Sequence, residues 1–316
     1  MSEARVGRIV LGLDGGGTRT RLAAVTSEGE LVAWREAGGM NFRTIGWDGV
    51  RETLTALGRD WGAEVAMLGV AGAAQGETQK RIQEMVMALG WAERVVVDHD
   101  LRVAWAGALA GQPGVIAIAG TGAACFGVNA VGETWRAGGW SWESDNQGGG
   151  YALAVAAQAA VWRARDGRGP ATALADALPE PASWERLSRV GTARLARVVV
   201  QLAEQGDAVA REVVQQQADA LAEATAAVAV RLGMETGPVS YAGSWLERSA
   251  FYRDLFATAL RARLPAVEMR APRWPPVVGA VWLASSAAGW AMREALMDRC
   301  AECCGRKTLT AVREVV

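Results

Sequence analysis

Four stretches of this 316-residue chain combine residue types and spacings that can do chemistry. The first, Asp14-Gly15-Gly16-Gly17-Thr18-Arg19-Thr20, sets a carboxylate before three glycines and two hydroxyls. Glycine reaches positive φ without steric cost, so such a turn can aim several backbone N–H groups at one anion. Thr18 and Thr20 add hydroxyl donors, and Asp14 is placed to hold a hydrated Mg²⁺ beside a polyphosphate. An ordinary hairpin turn needs one or two glycines and no carboxylate directly before them. Two familiar glycine-rich fingerprints do not fit. A Walker loop needs Gly-Lys-Ser/Thr opening a helix, and the dinucleotide fingerprint also leads into a helix. Here the apolar run Leu22-Ala23-Ala24-Val25 follows, which reads as a strand.

The second stretch is Asp98-His99-Asp100, at the end of the apolar strand Arg94-Val95-Val96-Val97 and at the start of a helix over 101–109. Ligands gather at the carboxyl ends of parallel strands, so Asp100 is the candidate general base. A carboxylate there can equally cap the helix. His99, one residue away on extended chain, is expected to point elsewhere. The third stretch, Gly120-Thr121-Gly122, lies between the apolar strands 115–119 and 123–128 and repeats the strand, Gly/Thr turn, strand order of the opening. The fourth runs from Gly138-Gly139-Trp140 through Asp145 to Gly148-Gly149-Gly150 and opens an alanine-rich helix. Its amides and carboxylate suit ligand hydroxyls. Asn41, in the glycine-containing loop 37–43, offers a donor and an acceptor to a ligand hydroxyl or amide, although Asn is also a common turn residue.

The elements that must position these residues alternate strand and helix, which predicts an α/β fold. Strand, turn, strand, turn, strand recurs in 9–34 and 115–136, which predicts a duplicated domain with one phosphate hairpin from each half and a cleft between the halves. The expected domains are 1–113 and 114–316, divided near Gln112-Pro113-Gly114, with the last long helix packing back on the first domain. Residues 167–184, with Gly169-Pro170 and Pro179-Glu180-Pro181, read as a surface excursion, and Asp207 as the cap of a helix stopped by Gly233.

Composition excludes several classes. Lys+Arg number 33 and Asp+Glu 34, a net charge of -1, so nothing favours nucleic acid or an anionic membrane. No apolar run approaches the ~20 residues that span a bilayer, and the start 1–5 lacks a signal peptide's apolar segment. Four cysteines make no disulfide framework, which suits a reducing cytoplasm. His99 is the one histidine, so a serine–histidine triad or a histidine-rich zinc site is nearly excluded and carboxylates carry acid–base work.

With both hairpins, the strand-end Asp and the late Ala242-Gly243-Ser244 turn in hand, residues 9–290 resemble the N-acetylglucosamine kinase family, or BadF/BadG/BcrA/BcrD-type ATPases. These are relatives of the sugar kinases, heat-shock chaperones and actin. The resemblance implies paired actin-like (ribonuclease H-like) domains, ATP and Mg²⁺ as cofactors, and a homodimer in the cytoplasm. It implies phosphate binding by Gly15, Gly16, Gly17, Thr18, Thr20, Gly120, Thr121 and Gly122, and an adenosine turn at Gly243 and Ser244. It assigns Asp100 as the base that takes a proton from a sugar hydroxyl, with Asn41, Gly139 and Asp145 contacting the sugar, N-acetylglucosamine or glucosamine. Three features depart from the pattern: His99 where relatives carry Asn, the 144–148 segment Ser-Asp-Asn-Gln-Gly, and a tail with Cys300, Cys303 and Cys304. Two other functions stay open on the same fold. One is an activator ATPase of an acyl-CoA dehydratase, which needs cluster-binding cysteines; the other is a non-catalytic sugar or nucleotide sensor.

Overall fold

The computed structural model describes residues 8–74, 76–184, 186–291 and 293–313. In chain order it forms β1 (Ile9–Gly15), β2 (Arg19–Thr26), β3 (Leu31–Gly38), α1 (Phe42–Ala56), β4 (Ala63–Val70), α2 (Gly76–Ala88), β5 (Ala92–His99) and α3 (Asp100–Leu109). Next come β6 (Gly114–Ala119), β7 (Ala123–Val128), β8 (Thr134–Ala137), α4 (Gly150–Arg165), α5 (Leu174–Ala177), α6 (Pro181–Trp184), α7 (Arg189–Glu204) and α8 (Ala208–Arg231). The chain closes with β9 (Pro238–Ala242), α9 (Ser244–Arg248), α10 (Ala250–Arg263), β10 (Glu268–Met269), α11 (Pro276–Ala287) and α12 (Glu294–Arg313). Among the described residues no helix is long and apolar enough to cross a membrane.

Each of two units holds one five-stranded sheet, ordered β3-β2-β1-β4-β5 in the first and β10-β9-β6-β7-β8 in the second. The pairing is the same in both. A central strand (β1 or β6) runs antiparallel to the next strand in the chain, which pairs antiparallel with the third. On its other side the central strand pairs parallel with β4 or β9, which in turn pairs parallel with β5 or β10. Two copies of one topology put Gly15–Arg19 and Gly120–Gly122 at equivalent hairpins.

In the first unit β1 is buried on both faces, so it reads as a continuous apolar run rather than an alternation. Ile9, Leu11 and Leu13 face a core completed by Val50, Leu54, Ile82 and Trp91. Val10 faces the opposite core, with Val103, Val277, Val281 and the α12 residues Met297, Cys300 and Cys304.

The units are Met1–Gln112 with Pro272–Val316, and Pro113–Ala271. The tail from 272, which chain order assigns to the second domain, therefore groups with the first. Glycine is the physical reason. A side chain on Gly279 of α11 would collide with the Val103 and Gly107 backbone of α3, and one on Gly12 of β1 would collide with Val281. Three bare positions let α11 lie backbone to backbone on α3 and β1. Asp207 caps α8 as expected, accepting from Ala210 N at 2.8 Å, and Gly233 (φ 64°) follows that helix's end. Helix α7 had no counterpart in the sequence reading.

Candidate functional site

The first hairpin is held by backbone. Gly16 N donates to Arg19 O (2.9 Å), which closes the turn, and Met40 N donates to Gly16 O (2.9 Å). Ala71 N, just past β4, donates to Gly15 O (2.8 Å). A side chain on Gly39 would collide with Gly17 O, so the 38–40 segment can press on the loop only as glycine. Gly17 and Thr18 are exposed, and a Cβ on Gly17 would meet nothing within 4 Å. Thr20 corrects an expectation. It is fully buried and its hydroxyl donates to Gly38 O (2.7 Å), so it fastens the loop and has no surface to offer a phosphate.

Asp14 shares the β1 face of Val10 and Gly12, and its side chain is 17% exposed. Arg21 of β2 places a nitrogen 4.0 Å from its carboxylate and bonds Glu36 at 3.4 Å, so that cation is shared between two acids. The same face carries α3. Gly69 pairs with Asp14 across the β1–β4 register, and a Cβ on Gly69 would strike the Val103 side chain. One turn back from Val103 is Asp100, the first residue of α3. The alternative that a carboxylate caps this helix does not hold, because His99 is the cap: its Nδ1 accepts from Arg102 N at 3.2 Å. Asp98 accepts from His99 N at 2.7 Å and lies 3.6 Å from His99 Nε2.

Asn41 caps α1, its Oδ1 accepting from Arg43 N at 3.1 Å. Gly72 (φ 85°) makes room for it: a Cβ there would come within 2.8 Å of that same oxygen. The 71–74 turn after β4 thus seats the Asn41 side chain, a link invisible along the chain.

The second hairpin is clamped by a side chain and a helix. Gly120 N donates to Gly122 O (2.8 Å), and buried Asn146 accepts from Ala123 N through Oδ1 (2.9 Å). Gly150 N and Tyr151 N, opening α4, donate to Gly120 O (2.9 Å) and Thr121 O (3.0 Å). Those two amides, read from sequence as ligand donors, are therefore engaged by the hairpin. Tyr252 OH donates to Gly148 O (2.7 Å) and Gly148 N to Gln217 Oε1 (2.9 Å), anchoring the loop to α10 and α8. Asp145 accepts from Trp140 N through Oδ2 (3.0 Å), and its backbone O takes Gly139 N (3.1 Å). Gly139 (φ 70°) would place a Cβ 2.8 Å from Ala123 O. Gly243 (φ 91°) turns β9 into α9, where a Cβ would collide with Ala119 O; Ser244 follows as the first helical residue.

Within the first unit the structure brings together the hairpin, Asp14, the first turn of α3 and, through Gly72, Asn41. Within the second it brings together Gly120–Gly122, the 138–150 loop and the Gly243–Ser244 turn. Two residues escaped sequence reasoning. Asn146 had a faint signal, as the Asn of Asn-Gln-Gly-Gly-Gly before a helix; Arg189 had none.

Asp14 suits Mg²⁺ held mainly by water and phosphate oxygens, since it is a carboxylate at a strand end beside open glycine backbone. Among the described residues no group of three His, Cys, Asp or Glu side chains converges as an all-protein cage would require. Among the described residues no disulfide joins the cysteines. Burial pushes the Cys125 thiol up to about 12, and Cys300 and Cys304 lie in the core around α12.

Residues 11–284 match the BadF/BadG/BcrA/BcrD ATPase family. The chain belongs to that family. It is 28% identical over 302 residues to the N-acetylmuramic acid/N-acetylglucosamine kinase of Clostridium acetobutylicum, covering 88% of this chain and 99% of the relative. It is 27% identical over 318 residues to the N-acetyl-D-glucosamine kinase of Dictyostelium discoideum, covering 87% and 97%. Among solved structures, a protein of Chromobacterium violaceum provisionally assigned as an N-acetylglucosamine kinase superposes with TM-score 0.72 at 27% identity, covering 88% of this chain and 99% of that one. A ROK family glucokinase from Streptomyces griseus, solved with glucose and AMPPNP, shares the fold at TM-score 0.57 and 16% identity, covering 89% and 99%. The fold is thus the duplicated, actin-like α/β fold of sugar kinases.

Proposed function

We propose that this protein is an ATP-dependent amino-sugar kinase that phosphorylates a hydroxyl of N-acetylglucosamine or glucosamine. One observation carries the reading: a glycine hairpin with Asp14 at its base lies on the sheet face covered by α3, the helix that Asp100 opens, and is repeated as Gly120–Gly122 in a second sheet of equal topology. Kinase relatives at 27–28% identity over most of the chain support it.

In this mechanism the Gly15-Gly16-Gly17 turn, the Thr18 hydroxyl and the Gly120–Gly122 turn hold the phosphates. Gly243 and Ser244 receive the adenosine. Asn41, Gly139 and Asp145 orient the sugar, with Asn41 fixed by its cap and Asp145 by Trp140 N. The Asp100 carboxylate accepts the proton of the attacking hydroxyl. The new bond joins the sugar oxygen to the γ-phosphorus, the bond to the bridging oxygen of ADP breaks, and ADP leaves with that electron pair. Mg²⁺, held near Asp14, supplies charge neutralisation when bound. Arg21, on the same face, lies 4.0 Å from that carboxylate. The proposal includes a homodimer, which light scattering tests, and a cytoplasmic setting, which four cysteines without a disulfide suit.

ADP release, measured with N-acetylglucosamine, glucosamine, N-acetylmuramic acid and glucose and coupled to product identification, tests the function. Sugar-dependent turnover with an amino sugar is expected. ATP hydrolysis indifferent to sugar, or tight sugar binding without turnover, overturns it in favour of an activator ATPase or a sensor.

A further inference from the structure

Arg189 is the first residue of α7, whose cap Ser188 accepts from Gly191 N at 3.1 Å. Helical side chains lean toward the N-terminus, and this one reaches the second hairpin. A Cβ on Gly122 would stand 3.0 Å from Arg189 Nη2 and 2.6 Å from Asn146 Oδ1, so only glycine at 122 leaves the guanidinium exposed to the turn. The Arg189 Nε is buried and has no hydrogen-bond partner among the described residues. Its Cζ lies 5.8 Å from the Trp142 ring, which meets Tyr151 edge-on at 5.1 Å.

Three other arginines of this unit are ion-paired. Arg165 bonds Glu180, Arg168 bonds Asp166 and Arg270 bonds Glu268. Among the described residues Arg189 has no carboxylate within ion-pair distance. Desolvation accordingly lowers its pKa from the usual guanidinium value, opposed by the nearby Tyr151. A desolvated cation without a counterion is costly, so an anion is the natural occupant of this spot. The guanidinium fork matches phosphate oxygens. Thr121 N and Gly122 N, which carry no hydrogen bond among the described residues, lie in the same turn.

We infer that Arg189 is the cationic receptor for the terminal phosphoryl group of the nucleotide at the Gly120–Gly122 turn. The inference rests on the kinase reading above and adds a residue to it. Arg189 draws the γ-phosphate to the second hairpin, while Asn146 keeps that hairpin's shape. The residue therefore distinguishes triphosphate from diphosphate.

The test uses the full chain with Arg189→Met and Arg189→Lys, and calorimetric titration of Mg²⁺ complexes of AMPPNP and ADP. Arg189→Met is expected to weaken AMPPNP about 10- to 100-fold and ADP by less than about threefold, with Arg189→Lys recovering part of the loss. Sugar KM should be unchanged. Equal losses for both nucleotides, no loss, or an effect confined to the KM of an acid-bearing amino sugar overturns the inference; the last outcome makes Arg189 a carboxylate receptor. Should Arg189→Met fail to melt cooperatively, the Arg189→Lys ratio of AMPPNP to ADP affinity decides alone. A wild-type protein that neither binds AMPPNP nor turns over ATP removes the kinase reading as well. Normal turnover with an indifferent Arg189 removes only this assignment.

Discussion

The hairpins at Gly15–Arg19 and Gly120–Gly122 occupy the same place in two sheets of one topology, yet different means hold them. The first is bounded by main chain, with Gly39 against Gly17 and Met40 N and Ala71 N on its carbonyls. The second is bounded by a buried amide side chain, Asn146, and by the first turn of α4. The strands feeding them differ as well. β1 delivers Asp14-Gly15, and β6 delivers Ala119-Gly120, so the carboxylate stands at one hairpin only. The cations reverse this order. Arg21 is shared between Asp14 and Glu36, whereas Arg189 at the second hairpin has no carboxylate partner among the described residues. On the proposed reading the side chains around the two turns divide the labour: acid and metal at the first, a cation for the phosphoryl group at the second.

The largest expected effect probes the first unit's acid. A positioned base contributes about 10²–10⁴-fold in rate, so Asp100→Asn should lower kcat by that factor in steady-state assays. Because His99 rather than Asp100 caps α3, the thermal melt of Asp100→Asn should barely move. His99→Gln should instead keep most activity and lose about 1 kcal/mol of stability with the cap. Near-normal kcat for Asp100→Asn beside a dead His99→Gln would erase the assignment of acid to Asp100.

Next comes the asymmetry in metal placement. Asp14→Asn should reduce turnover about 10²-fold and raise the Mg²⁺ concentration needed for half-maximal rate, with sugar affinity intact. Normal Mg²⁺ dependence would make the two hairpins alike.

Asn146→Ala should strand the buried Ala123 N–H without an acceptor, costing about 1–3 kcal/mol in denaturant melts and raising the KM for ATP. Asn146→Asp, which keeps the acceptor, should recover much of both. An unchanged melt for Asn146→Ala would mean that the second hairpin, like the first, is held by backbone. The smallest effect is expected at Thr20→Val, which removes one hydroxyl bond to Gly38 O for about 1 kcal/mol and leaves nucleotide KM close to wild type. A large KM rise would return Thr20 to direct phosphate contact.

Local pattern carried the strands, the glycine turns, the Asp207 cap and the repeat, because period, glycine and cap chemistry are properties of neighbouring residues. Asp14 before three glycines and Asp100 after an apolar strand were readable for the same reason. Tertiary structure alone decided the rest. That α11 packs on the first unit depends on Gly12, Gly107 and Gly279, which lie far apart in the chain and matter only where backbones meet. Thr20 and Thr18 look equivalent in sequence, but β3 buries one and leaves the other exposed. His99 took the cap by conformation, where composition favoured its carboxylate neighbours. Arg189 is one of many arginines until folding sets its guanidinium beside Gly122, 67 residues away by subtraction of their numbers, and leaves its Nε buried without a partner. Sequence fixes which groups exist and their local conformations; desolvation and pairing arise only between segments that folding brings together.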